Sequence, residues 1–162
     1  MKYHVIDVCR HMINYSNEKE CGVSNLKLQK LLYFTQAYFL ITKREACFGE
    51  RIEAWDLGPV VPVAYREYKQ FGSSSIPTIT YVIEKDTDNI WNSKVVSFHD
   101  VMISSEDKTL IDSVVDKFSE YSASDLVELT YRQKPWSDAY VPYKNNEITI
   151  KAIEEYFDAK FA

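Results

Sequence analysis

Glycine is scarce in this chain, four residues in 162 and none beside another, so neither GxxxxGK[ST] nor GxGxxG is present and a phosphate-cradling loop is excluded. Cysteine is scarcer still. Cys9, Cys21 and Cys47 are odd in number and share no CxxC spacing, which argues against a disulfide scaffold and for a reducing, cytoplasmic setting. No stretch approaches the ~20 apolar residues that span a bilayer, and Met1 to Arg10 mixes Lys2, His4, Asp7 and Arg10 among its apolar residues, unlike a signal peptide. GxSxG, SxxK and papain-like cysteine strings are missing as well. A concentrated basic surface is also lacking. The net charge is −5, and residues 51–162 hold twelve basic against nineteen acidic side chains, a balance that speaks against nucleic acid as the main partner.

What remains is a globular composition of 46% hydrophobic and 27% charged residues, with few glycines and prolines to suggest disorder. Tyrosine is abundant, twelve residues, and serves equally well in a half-buried core and at a protein interface. The length suits one core, and residues 1–162 read as one domain.

Apolar spacing predicts a first helix from Tyr3 to about Tyr15, with Val5, Val8, Cys9, Met12 and Ile13 on one face. After a turn at Gly22, Ser24 caps a second helix whose Leu26, Leu28, Leu31, Leu32, Phe34, Tyr38, Phe39 and Ile41 cover most of its circumference, the mark of a central helix. Arg51–Trp55 reads as a short strand. Ala54–Pro62 follows as a rigid elbow in which Pro59 and Pro62 fix φ and Gly58 offers positive φ. The third helix is expected from Pro59 or Val60 to Phe71, with Gly72 as its stop. Thr78–Ile83 and Ile90–Phe98 form a peripheral hairpin around Asp86–Asn89. Ser104 or Ser105, Ser122 or Ser124, and Thr149 cap three further helices, and Pro135-Trp136 breaks the chain between the last two. The sum is a mainly α fold with a minor antiparallel β element and about six helices.

Candidate chemistry is thin. His4, Cys9 and His11 fall on the first helix, but a five-residue and a two-residue step do not bring three ligands to one face, so no metal is expected. His99-Asp100 are sequence neighbours, which seldom aim at each other, and Asp86/Asp88 and Glu154/Glu155 read as solvated carboxylates. The first two helices superficially suggest a helix-turn-helix with Asn25, Lys27, Gln29 and Lys30 as readers, yet the second helix is apolar from Tyr33 onward. No enzyme and no cofactor is expected from these patterns.

Two strings are distinctive: Lys27-Leu28-Gln29-Lys30-Leu31-Leu32-Tyr33-Phe34, and Ile52-Glu53-Ala54-Trp55-Asp56-Leu57-Gly58-Pro59-Val60-Val61 with Tyr65. With Glu128-Leu129-Thr130-Tyr131, Pro135-Trp136-Ser137-Asp138-Ala139 and the closing Ile150–Phe157 segment, the chain resembles the Panacea domain family, the SocA-like and phage-associated GepA-type proteins. It departs at Tyr131, where the family often has His, an exchange that keeps an aromatic ring and a hydrogen-bonding tip.

The resemblance implies an antitoxin of a type II toxin–antitoxin system, which neutralises a cognate protein toxin encoded beside it by direct contact. Some relatives also resemble adaptors that deliver the toxin to a protease. In the antitoxin reading the partner-binding candidates are Lys30, Tyr33, Trp55, Pro59, Tyr65, Tyr131 and Trp136, each of which also fits a core or corner position. The tail Lys160-Phe161-Ala162 serves either helix packing or recognition. A small hydrolase built on His99, His11 or the acidic residues is the alternative from another class.

Overall fold

The computed structural model of the chain describes residues 3–161; Met1, Lys2 and Ala162, the last of the tail residues named above, lie outside them. Helix α1 (Val5–Glu18) starts where the His4 ring accepts from the Ile6 amide, and it buries Val5, Val8, Cys9, Met12 and Ile13 as its spacing demands. Helix α2 (Asn25–Lys43) is capped by Ser24 and buried on almost every side, from Leu28 through Phe39. Its apolar girth is explained by its neighbours, which pack on it from several sides, with Phe34 meeting Phe118 at 4.6 Å between ring centroids and Tyr33 meeting Phe157 edge-on.

Strands β1 (Ile52–Trp55) and β2 (Gly58–Val60) form a tight antiparallel hairpin in which Trp55 pairs with Gly58 across the two-residue turn Asp56-Leu57. The third helix therefore begins later than expected: α3 spans Pro62–Tyr68 and is extended by a 3-10 turn at Lys69–Phe71. The reason lies in the ladder. Ala54 donates its amide to Asn146 on the other side of β1, so the Ala54–Pro59 pair makes no hydrogen bond across the hairpin and Pro59 has no ladder donor to lose. Pro62 occupies the first turn of α3 instead, where its missing amide costs nothing.

Strands β3 (Tyr81–Glu84) and β4 (Lys94–Ser97) pair antiparallel as expected, with Ile83 opposite Val95. This arm is rooted on α1: Asn14 both donates to and accepts from the backbone of Ile79, and the Arg10 guanidinium lies 5.9 Å from the Phe98 ring centroid. Helices α4 (Ser105–Lys117), capped by Ser104, and α5 (Ala123–Tyr131), with a reciprocal Ser122–Asp125 capping box, follow. Pro135 then opens a helix rather than breaking the chain: α6 spans Lys134–Ala139 with proline in its first turn, which raises the described α-helices to seven. Strand β5 (Glu147–Ile148) completes a three-stranded sheet in the order β2-β1-β5 and leads through the Thr149 cap into α7 (Ile150–Phe161). Among the described residues no helix is long and apolar enough to cross a membrane.

His4, Cys9 and His11 go separate ways. His4 pairs with Glu50, Cys9 is fully buried with its thiol pushed well up by that burial, and His11 sits between Asp100 at 2.5 Å and Asp112 at 2.6 Å. With an aspartate at each ring nitrogen, His11 ties the root of the β3–β4 arm to α4. Replacing His11 with Ala leaves two acidic groups facing an empty site. The expected cost is about 2 kcal/mol, with faster hydrogen exchange through residues 79–100. Unchanged stability and exchange in His11→Ala would rule out this tie.

Candidate functional site

The second helix reaches the β1–β2 hairpin through polar side chains of its first two turns. Gln29 accepts from the Val61 amide at 3.0 Å and donates to Asn25, which in turn donates to the Tyr65 carbonyl. Lys30 is wholly buried and donates to the Pro59 carbonyl at 2.7 Å. Asn25, Gln29 and Lys30 thus face inward and hold the backbone of the hairpin and of α3, so three of the four side chains available to read a DNA groove are spent on the fold.

Burial drives the Lys30 ammonium down to about 7 from an ordinary value of 10.5. The sign of the consequence follows from proton counting. Between pH 7 and the ordinary lysine range the unfolded chain binds a proton that the folded chain does not, so stability rises with pH by up to about 1.4 kcal/mol per unit. Above about pH 9 the trend reverses as thiols freed by unfolding ionise, since burial holds Cys9 and Cys47 protonated in the fold. In urea titrations from pH 7 to 8.5 the native protein should gain about 1 kcal/mol. Lys30→Met should lose that slope, and an equal slope in both proteins would reject the assignment.

Outside this buried frame, the turn itself is clamped from the other side. The Tyr131 hydroxyl donates to the Asp56 carbonyl, the Tyr140 hydroxyl to the Asp56 carboxylate, and the Trp136 indole to the Trp55 carbonyl at 2.8 Å. The three rings form a ladder, with Trp136 4.6 Å from Tyr131 and 4.5 Å from Tyr140 between centroids. Burial raises the Tyr131 hydroxyl above its ordinary range, and its bond to Asp56 raises that of Tyr140, so both stay protonated donors near neutrality. On the far side Trp55 packs edge-on against Tyr65 at 5.0 Å and donates to Glu53. Held from two sides, the turn projects Leu57, which remains 53% exposed. Beside it runs an open groove of about 690 Å³, with Trp55, Leu57, Val60 and Tyr65 as its apolar wall and Tyr143, 97% exposed, on its rim.

A family described as "Antitoxin SocA-like, Panacea domain" matches residues 28–137, which include the hairpin, Gln29 and Lys30 of α2, and the Tyr131 and Trp136 clamps. The chain belongs to the SocA-like Panacea family. "Antitoxin SocA" of Caulobacter vibrioides (strain NA1000 / CB15N) is a relative, 34% identical over 118 residues that make up 70% of this chain and 58% of that protein. The aligned part thus spans less than two thirds of the relative. No solved structure matches the chain.

Within this Panacea chain the seven candidates divide cleanly. Lys30, Tyr33 and Pro59 are buried: Tyr33 donates to Gln133, the residue before α6, so it supports the helix that carries Trp136. Trp55, Tyr65, Tyr131 and Trp136 are half-buried and surround the turn. Sequence spacing missed Asp56 and Leu57 as the turn itself, although a short strand followed by two residues and a glycine carries a hairpin signal. It also missed Tyr140, which lies four residues after Trp136 and so on the same side of α6.

Proposed function

We propose that this chain is an antitoxin that neutralises a protein toxin by direct binding, and that the clamped Asp56-Leu57 turn with its adjoining groove is the contact face. The observation that carries the reading is the exposed Leu57 on a turn fixed by Lys30, Tyr131, Trp136 and Tyr140. A rigid apolar anchor beside an aromatic-walled groove is the form that binding hot spots take, because little conformational freedom is lost on contact. Trp55 and Tyr65 supply the groove's aromatic wall, Tyr131 and Trp136 hold the turn, and Lys30, Tyr33 and Pro59 set its height from below.

Neutralisation by sequestration needs no catalytic group. At free antitoxin a hundred times Kd, about one per cent of the toxin stays free. The test is co-expression with the neighbouring open reading frame of a type II pair, scored by growth, together with co-purification of the two chains. Rescue with a stable complex and an unchanged toxin half-life supports sequestration in the cytoplasm. Rescue that needs a protease and shortens the toxin half-life replaces it with delivery for degradation, and failure to rescue or to co-purify rejects the antitoxin reading.

A further inference from the structure

The β3–β4 arm is the part of the molecule that its own core leaves least covered. Tyr81, Ile83, Ile90, Trp91 and Val95 are between 62% and 91% exposed. A two-stranded sheet is marginal by itself, and exposed apolar surface of this kind marks a contact. The arm's backbone says how contact is made. Phe98 donates to the Thr80 carbonyl, so the bonded pairs are those at even positions, and the backbone groups of Tyr81, Ile83, Val95 and Ser97 turn to the outer edges. One edge is taken. Ile79, two residues before Tyr81 and on the same edge, has both its amide and its carbonyl bonded to Asn14, which sets the β3 side against α1. The β4 edge is unpaired by any strand among the described residues.

We infer that β4 is a self-association edge, which pairs antiparallel with β4 of a second copy to join the two arms into one four-stranded sheet. Three observations favour a second copy as the occupant. The first is exposed apolar surface: Val95 on β4 is 70% exposed, and Ile90 and Trp91, just before that strand, are 74% and 91% exposed. The second is charge. Residues 51–162 carry twelve basic and nineteen acidic side chains, so like surfaces of two copies repel, whereas β3 and β4 contain one acidic and one basic residue, Glu84 and Lys94, already opposite each other. The third is register. An isologous pair centred on Val96 sets Val95 against Ser97 of the second copy, two positions that both offer edge-facing backbone groups, and Lys94 against Phe98, so no like charges meet. The edge of β4 carries no proline and, apart from Lys94, no charge to prevent this pairing.

The test is sedimentation velocity of the full chain from about 1 to 100 µM, where a patch of this size without a deep anchor is expected to give a reversible dimer with Kd on the order of 10 µM. Val95→Pro removes an outward amide that takes no part in the β3–β4 ladder, and Val95→Lys places a charge on the same edge. Both should weaken the dimer at least ten-fold while the thermal midpoint of the monomer holds. Three results would each overturn the inference: a monomer at 100 µM, a dimer that neither variant weakens, or amides of residues 95 and 97 that are unprotected in concentrated free protein and protected only when the toxin is added.

Discussion

Gly58→Ala should destabilise the protein by about 3 kcal/mol, a drop of roughly 6–12 °C in thermal midpoint for a chain of this size. Two independent costs meet at this position. Gly58 holds φ at +97°, which an alanine reaches only with about 1–2 kcal/mol of strain. In addition, a Cβ there would stand 2.8 Å from the Thr130 hydroxyl oxygen and 2.9 Å from Lys30 Cε. Neither neighbour retreats freely. Thr130 is buried and donates to the Val127 carbonyl, and moving the Lys30 stem breaks its bond to Pro59, so about 1–3 kcal/mol of crowding is added. Gly72→Ala separates the terms: it shares a positive φ of +56° but has nothing within 4 Å, so it should cost only the strain. Calorimetric scans of both variants decide the matter, and equal losses would show that the close approach of Lys30 and Thr130 is not felt.

Leu57→Asp should weaken toxin binding by at least a hundred-fold and abolish growth rescue, while leaving the fold within about 0.5 kcal/mol of native. The asymmetry comes from where the side chain points. Leu57 is 53% exposed in the free protein and sits in a turn that tolerates aspartate, so the free fold loses little. In the complex proposed above the same position is covered. Burying a leucine contributes about 1.5–3 kcal/mol, and a carboxylate placed there adds an unpaired charge to be desolvated. Titration calorimetry with the purified toxin gives the affinity, and a melting curve gives the fold. Wild-type affinity in Leu57→Asp would remove the turn from the contact face and leave the antitoxin reading standing on another surface.

Much of this architecture is readable before any coordinates. Ser24, Ser104 and Thr149 announce their helices because a hydroxyl ahead of an apolar period is a local signal, satisfied by the amide three residues on. The family strings likewise contain Lys30, Trp55 and Trp136. What the sequence hides is direction. Nothing local tells that Lys30 points into the core, because a lysine near the start of an amphipathic helix ordinarily reaches solvent; here the Pro59 carbonyl, freed by the hairpin's register, draws it inward. Pro59 itself misleads for a related reason. Proline suits a first helical turn and an unbonded edge position equally, and only pairing with Ala54 decides between them. Strand β5 is two residues long and invisible to any periodicity, yet it completes the sheet.

The clamp on the Asp56-Leu57 turn also has a history in time. Its three donors come from 75, 81 and 84 residues further along the chain. During synthesis the hairpin therefore leaves the ribosome with its inner supports from α2 available and its outer ones not yet made. At about 5–20 residues per second, those rings arrive roughly 4–17 s later. Until then, Leu57 rides on a loose turn that lacks the shape the finished protein gives it. If the turn is the contact face proposed above, the chain acquires that face only once Tyr131, Trp136 and Tyr140 have emerged.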